Sequence, residues 1–235
     1  MKTVLFDLDG TLLPLDQEAF GKAYIFGMAK YMTPYGYDLQ ELIRGITVGT
    51  GAMVKNDGAE TNEEVFWRCF SQQLDRDARA DEPYFEAYYR TEFQKVRAVC
   101  GFNPQSAEVI AFLKKNGCRV ALATNPLFPQ IATYSRVAWA GMDPADFDLI
   151  TTYENSRHCK PNPEYYRDVL EALGETPENC IMVGNDVDED MLAAQAAGLR
   201  VFLLTDCIIN RHNIGVSRIP QGGFPELMEF LKANI

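Results

Sequence analysis

Thr3-Val4-Leu5-Phe6-Asp7-Leu8-Asp9-Gly10-Thr11 is the stretch that decides how this chain is read. An unbroken apolar run ends at two carboxylates one residue apart, and Gly10 turns the chain just after them. A short apolar run closed by polar turn residues is the pattern of a strand buried on both faces. Carboxylates at alternate positions can turn the same way at its end. Alone, the tetrad Asp-Leu-Asp-Gly also fits an ordinary strand-end turn, so the rest of the chain has to discriminate.

Four more apolar runs rich in β-branched residues follow, at 119–123, 149–152, 181–183 and 201–204. Helical spacing fills 104–116, 164–173 and 191–197, and Gly117, Gly174 and Gly198 stand where C-caps belong. Alternating strand and helix implies an α/β fold, a parallel sheet with helices on both faces. The stretch 16–97 is far too long for a connection. Its apolar residues recur at helical spacing, as in Phe20, Tyr24 and Met28, then Val65 and Cys69 beside Phe66 and Phe70, then Tyr84 and Tyr88 beside Phe85, Tyr89 and Phe93. The expectation is an α/β core of 1–15 and 98–235 with an all-α domain, 16–97, inserted into it. The crossings lie at 13–15 and 99–102, where Pro14 and Gly101 suit a hinge.

The chain has 235 residues, 47% of them hydrophobic, enough for a substantial core. Its formal net charge of −11, with no lysine- or arginine-rich stripe, argues against nucleic acid and anionic membrane surfaces as partners. If such a chain handles phosphate, its positive charge has to be brought to one spot. The six cysteines form no CxxC pair or zinc spacing and read as reduced structural residues. The first residues are too quickly acidic for a signal peptide, and no apolar stretch reaches the ~18 residues of a membrane span, so a cytoplasmic protein is expected.

Three further strand ends carry chemistry-bearing residues. The second ends in Ala123-Thr124-Asn125-Pro126, a hydroxyl and an amide able to hold an anion's oxygens. The third is followed by His158-Cys159-Lys160-Pro161-Asn162-Pro163, a lysine fixed between turn residues ahead of a helix. The fourth runs into Gly184-Asn185-Asp186-Val187-Asp188-Glu189-Asp190, an acidic loop that also suits a helix N-terminus.

In order, spacing and strand-end placement, these four sets resemble the haloacid dehalogenase superfamily of aspartate-nucleophile hydrolases, most of which are phosphatases. The resemblance covers Met1 to about Leu15 and Val99 to Thr205. The inserted helices match the family's cap in position. The resemblance implies a Rossmann-like sheet of strand order 5-4-1-2-3, Asp7 as nucleophile and Asp9 as general acid/base. It implies phosphate binding by Thr124, Asn125 and Lys160, and Mg²⁺ held by Asp7, the Asp9 backbone carbonyl and Asp186, with Asp190 in support. The family's fourth motif usually reads Gly-Asp, whereas this chain reads Gly184-Asn185-Asp186. The first acid is displaced by one residue, which leaves Asp188 as the alternative to Asp186.

On this reading the substrate is a small phosphorylated metabolite, enclosed beneath the cap and cleaved through an aspartyl-phosphate. Asp9 favours phosphate over halide release, because expelling an alkoxide requires a proton and expelling a halide does not. Phosphonate hydrolysis would require a cap lysine, for which Lys22, Lys30, Lys55 and Lys95 are the options. Arg44, Lys55 and Arg68 are candidate cap contacts, beside a glycine-rich stretch from Gly45 to Gly51 that suits a loop facing the site. The aromatic rows read as cap core, and 206–212 as a rim loop. His158 and His212 receive no catalytic role. Two other functions fit the same residues: a phosphotransferase or phosphomutase, and a catalytically silent metabolite-binding protein.

Overall fold

The computed structural model describes residues 2–235. Its centre is a six-stranded sheet of order β3-β2-β1-β4-β5-β6, every pair parallel, built from β1 (Thr3–Phe6), β2 (Arg119–Leu122), β3 (Leu149–Ile150), β4 (Cys180–Gly184), β5 (Arg200–Leu204) and β6 (Gln221–Gly222). The expected order of five strands is present, read from the other edge. The third strand is shorter than expected, and the short β6 extends the sheet beyond β5.

Alternation along the strands divides the core into two layers. Val4, Phe6, Val120, Leu122, Ile181 and Val183 pack on one face, and Leu5, Ala121, Met182, Val201 and Leu203 on the other. A parallel sheet covered on both sides needs such strands, apolar at every position. Helices α1 (Gln17–Met32), α2 (Leu39–Val54), α3 (Asn62–Leu74) and α4 (Glu82–Arg90) lie between β1 and β2 in the chain. Around the sheet are α5 (Pro104–Lys115), α6 (Gln130–Trp139), α7 (Pro163–Leu173), α8 (Ala193–Ala196) and α9 (Phe224–Asn234). Among the described residues no helix is long and apolar enough to cross a membrane.

The stretch Gly45 to Gly51 is not a loop but the middle of α2. Its glycines serve close packing: a Cβ on Gly45 would stand 2.7 Å from the Phe70 ring, and one on Gly49 2.6 Å from that of Phe66. Contact with α3 overrides the weak helix propensity of glycine. The two crossings run side by side, Leu15 bridging Cys100 and the Gly101 amide donating to the Pro14 carbonyl. The start of α3 is tied to the loops after β2 and β3, the Asn62 amide donating to Ser156 and the Glu63 amide to Tyr153.

Candidate active site

Strand register assembles the site. Phe6 lies opposite Leu122 and Val183, so Asp7, Ala123 and Gly184 are the next residues out on three adjacent strands. The Asp7 amide donates to Val183 and the Ala123 amide to Phe6, carrying the ladder one step further. Gly10 then turns with φ +89°, and a Cβ there would stand 2.3 Å from Asn185 Nδ2, so the loops after β1 and β4 touch where only glycine fits. The Thr11 hydroxyl joins them, 2.9 Å from Asn185 Oδ1 and 3.3 Å from Asp7 Oδ2.

Lys160 is fully buried, and its ammonium donates to Asp7 Oδ1 at 3.0 Å and Asp190 Oδ1 at 2.6 Å. Burial works to strip its proton, but the Asp190 and Asp7 carboxylates outweigh that and hold its pKa well above the ordinary lysine value. The other Asp190 oxygen accepts from the amides of Asn185 and Asp186, at 3.0 Å each. Asp190 therefore positions both Lys160 and the acidic loop. A Cβ on Gly184 would stand 2.3 Å from its Cγ, which is why glycine ends β4.

Asp186 serves as N-cap for the π-type turn Val187–Leu192, one oxygen accepting from the amides of Asp188 and Glu189. The other oxygen pairs with Arg211. Asp188 turns away to His212 at 3.1 Å and lines neither cavity described below, so of the two candidate acids Asp186 is the one in the cleft. The Asn185 side chain is structural, accepting from Thr11 and donating to the Cys207 carbonyl. Asn125 donates to Glu189 Oε2 at 3.0 Å, and its own Oδ1 has no hydrogen-bond partner among the described residues. Thr124 is buried, its carbonyl accepting from Thr151 and Tyr165.

Arg136, on α6, is a residue the sequence reading missed. It is 1% exposed, pairs with Asp9 Oδ2, and lies 4.3 Å above the Phe128 ring. Burial raises the pKa of Asp9, and nearby Asp7 adds to the shift, although Arg136 works against it. The second Asp9 oxygen is buried without a hydrogen-bond partner among the described residues. A signal was available: Arg136 falls on the stripe Ala132, Thr133, Arg136, Val137, the buried face of α6. An arginine there is rarely buried unless paired.

Asp7, Asp9, Thr124, Asn125, Asp186 and Asp190 all line one cleft of about 280 Å³. Lys160 stands behind it. The helical segment contributes Gln17, Phe20, Gly21 and Tyr24, and the rim loop contributes Arg211. Arg44, Lys55 and Arg68 do not line it, and Arg68 pairs with Glu60 at the surface. Lys22, Lys30 and Lys95 lie outside it as well, which leaves the phosphonate chemistry without its lysine. His158 pairs with Asp168. The aromatic rows divide: Tyr88 and Phe93 are core, Tyr84 stacks on Tyr35 at the surface, and Phe85 and Tyr89 line a second cavity.

Oxygen donors of this kind suit a hard cation. Asp7 and Asp186 offer carboxylates, and the Asp9 carbonyl takes no hydrogen bond among the described residues. Those residues contain no ready-made group of three acidic, histidine or cysteine side chains around one point. Magnesium does not require one, since it is commonly held by one or two carboxylates, waters and substrate phosphate. The residues present therefore fit Mg²⁺.

Residues 1–198 match the haloacid dehalogenase-like hydrolase family. The chain is 26% identical to the phosphorylated carbohydrates phosphatase of Thermotoga maritima over 199 residues, 85% of this chain and 82% of that one. It is 25% identical to the ribulose-1,5-bisphosphate 5-phosphatase of Halopiger xanaduensis over 207 residues, 85% and 83% of the two chains. Among solved structures, the 2-haloacid dehalogenase of Pseudomonas syringae pv. Tomato DC3000 has the same fold, with a TM-score of 0.65 at 18% identity over 99% of both chains. A sequence match over most of its length, on a sheet that carries the expected strand order, means that this chain belongs to the haloacid dehalogenase-like hydrolase family.

Proposed function

We propose that the chain is a Mg²⁺-dependent phosphatase that cleaves a small phosphorylated metabolite through an aspartyl-phosphate on Asp7, with Asp9 as general acid and base. The observation that carries this reading is the contrast between two carboxylates in one cleft. Asp7 faces the buried Lys160 ammonium at 3.0 Å, while Asp9 keeps an unpaired oxygen and a raised pKa. The raised Asp9 pKa suits a proton donor, and the carboxylate held beside a buried ammonium suits a nucleophile. Similarity to phosphatases named for phosphorylated carbohydrates and for ribulose-1,5-bisphosphate supports the substrate class.

In the first step an Asp7 oxygen bonds to phosphorus as the ester bond breaks, and Asp9 gives its proton to the departing alkoxide. In the second, a water loses its proton to Asp9 and attacks phosphorus, breaking the aspartyl bond and releasing phosphate. Lys160 stays charged throughout and offsets the repulsion between carboxylate and phosphate, with Thr124 and Asn125 binding the phosphate oxygens. Asp7, Asp186 and the Asp9 carbonyl would hold the Mg²⁺, which supplies further neutralisation of the charge on the phosphoryl oxygens. Residues 16–97 act as a cap, bringing Phe20 and Tyr24 over the cleft to limit water and substrate size.

The test is phosphate release from a panel of metabolite esters with Mg²⁺, with and without a chelator, beside Asp7→Asn. Release should vanish with EDTA and fall by at least about 10³-fold in the variant, consistent with loss of a nucleophile. Undiminished release by Asp7→Asn would remove Asp7 from its role, and no release from any ester would favour a silent binding protein.

A further inference from the structure

One polar side chain of the inserted helices is fully buried against the core. Asn62, the first residue of α3, is 0% exposed and lines neither the catalytic cleft nor the second cavity. Its backbone amide donates to the Ser156 carbonyl at 2.8 Å, and that of Glu63 to Tyr153 at 2.9 Å. The first amides of a helix have no partner within it, so α3 finds these two in the loop after β3.

The Asn62 side chain reaches further. Its Nδ2 lies 3.4 Å from the Pro126 carbonyl, 3.4 Å from that of His158 and 3.3 Å from Cys159 Sγ, while its Oδ1 accepts from Asn56 Nδ2 at 2.9 Å. Acceptors at one end and a donor at the other leave a single orientation for the amide. Its two hydrogens are shared among the three acceptors, so both loops hold the side chain at once. Pro126 follows Asn125, and Cys159 precedes Lys160. Asn62 thus joins the two loops whose Thr124, Asn125 and Lys160 are proposed to hold the phosphate. It does so one residue along each loop from the contact of Asn125 Nδ2 with the Lys160 carbonyl, at 3.4 Å.

The neighbouring turn is seated on the same loop. A Cβ on Gly58, where φ is +90°, would stand 2.6 Å from the His158 ring, and Met53 packs with Tyr153 and Cys159. Apolar packing alone would suffice to dock the helices on the core. Burying an amide there costs free energy unless its hydrogen bonds are made, and a satisfied buried network fixes the groups it connects.

We infer that Asn62 is a positioning residue for phosphate binding: from the inserted segment it holds the loop of Thr124 and Asn125 against the loop of Lys160, without touching the substrate. The inference rests on the phosphatase reading above and adds a residue to it. One consequence is that the phosphate site is fully formed only while α3 is seated on the core.

Asn62→Ala keeps the backbone bonds of α3 and removes the clasp. Displacing reacting groups by about 1 Å can cost ~10²-fold, and here kcat/KM with Mg²⁺ should fall by about tenfold or more. The factor should be the same for acetyl phosphate as for glucose 6-phosphate, because the phosphate site is loosened and not the space for the alcohol. Binding of inorganic phosphate, followed by calorimetry, should weaken as well. A loss on glucose 6-phosphate that spares acetyl phosphate and inorganic phosphate would make Asn62 a selector of the alcohol. A lower urea midpoint with unchanged kinetics and phosphate binding would make it structural alone, and either result overturns the inference. Should Asn62→Ala not fold, Asn56→Ala carries the test, since the side-chain hydrogen bonds of Asn56 all lie within 56–62. Losing the one that orients Asn62 should give the same uniform loss at smaller size, and wild-type kinetics would overturn the inference. A wild type that binds phosphate but cleaves no ester would sink the phosphatase reading, while the binding comparison still decides the role of Asn62. A wild type that does neither would sink both.

Discussion

Lys160 and Arg211 each hold a carboxylate of the same cleft, in opposite surroundings. The Lys160 side chain is 0% exposed, between Asp7 and Asp190. Arg211 pairs with Asp186 from the rim, its side chain 47% exposed. A buried ammonium has no water to fall back on, so its two carboxylates must stay in place for the fold to hold. An exposed guanidinium can exchange its partner for water at little cost. The inner cation is thus part of the framework, and the outer one is free to leave when Asp186 is needed elsewhere. Arg136 stands between these cases, itself buried but bound to an Asp9 that is 23% exposed.

Substitutions can break this ranking. Lys160→Met should cost the most, about 3–5 kcal/mol in urea unfolding, because Asp7 and Asp190 would be left without their cation. A loss below about 1 kcal/mol, the range of surface pairs, would show that the buried pair does not anchor the sheet edge. Arg136→Met should cost about 1–3 kcal/mol, the penalty for leaving one buried polar partner unmatched. That variant should also slow esters with poor leaving groups more than activated aryl phosphates, since a misplaced Asp9 matters most where a proton must be delivered; equal slowing of both would mean that Arg136 is purely structural. Arg211→Ala should change stability by no more than about 0.5 kcal/mol in the same measurement, as at an ordinary surface site.

Local reading reached far in some places and failed in others for identifiable reasons. The run Thr3–Phe6 is the observed β1, its Val4, Leu5 and Phe6 supplying the apolar residues that a strand buried on both faces requires. Lys160 was legible because Pro161, Asn162 and Pro163 fix the start of α7 just beyond it. The stretch Gly45 to Gly51 misled, since what keeps it helical is the approach of Phe66 and Phe70 from α3. The short β6 carries little apolar signal of its own, and pairing with β5 makes it a strand. Arg44, Lys55 and Arg68 stand out in the sequence by charge, but charge does not say which side of a helix faces a cleft.

The order of the motifs, the alternation of strand with helix and the residue types at each strand end belong to the sequence by itself, because all are set within a few residues along the chain. The partners belong to the tertiary structure: Arg136 for Asp9 across 127 residues, Lys160 for Asp7 across 153, and the second cavity, lined from five helices and two loops. Hydrogen bonds and ion pairs act over a few ångströms in space whatever the separation along the chain. Only strand register and helix packing decide which distant groups come within that range.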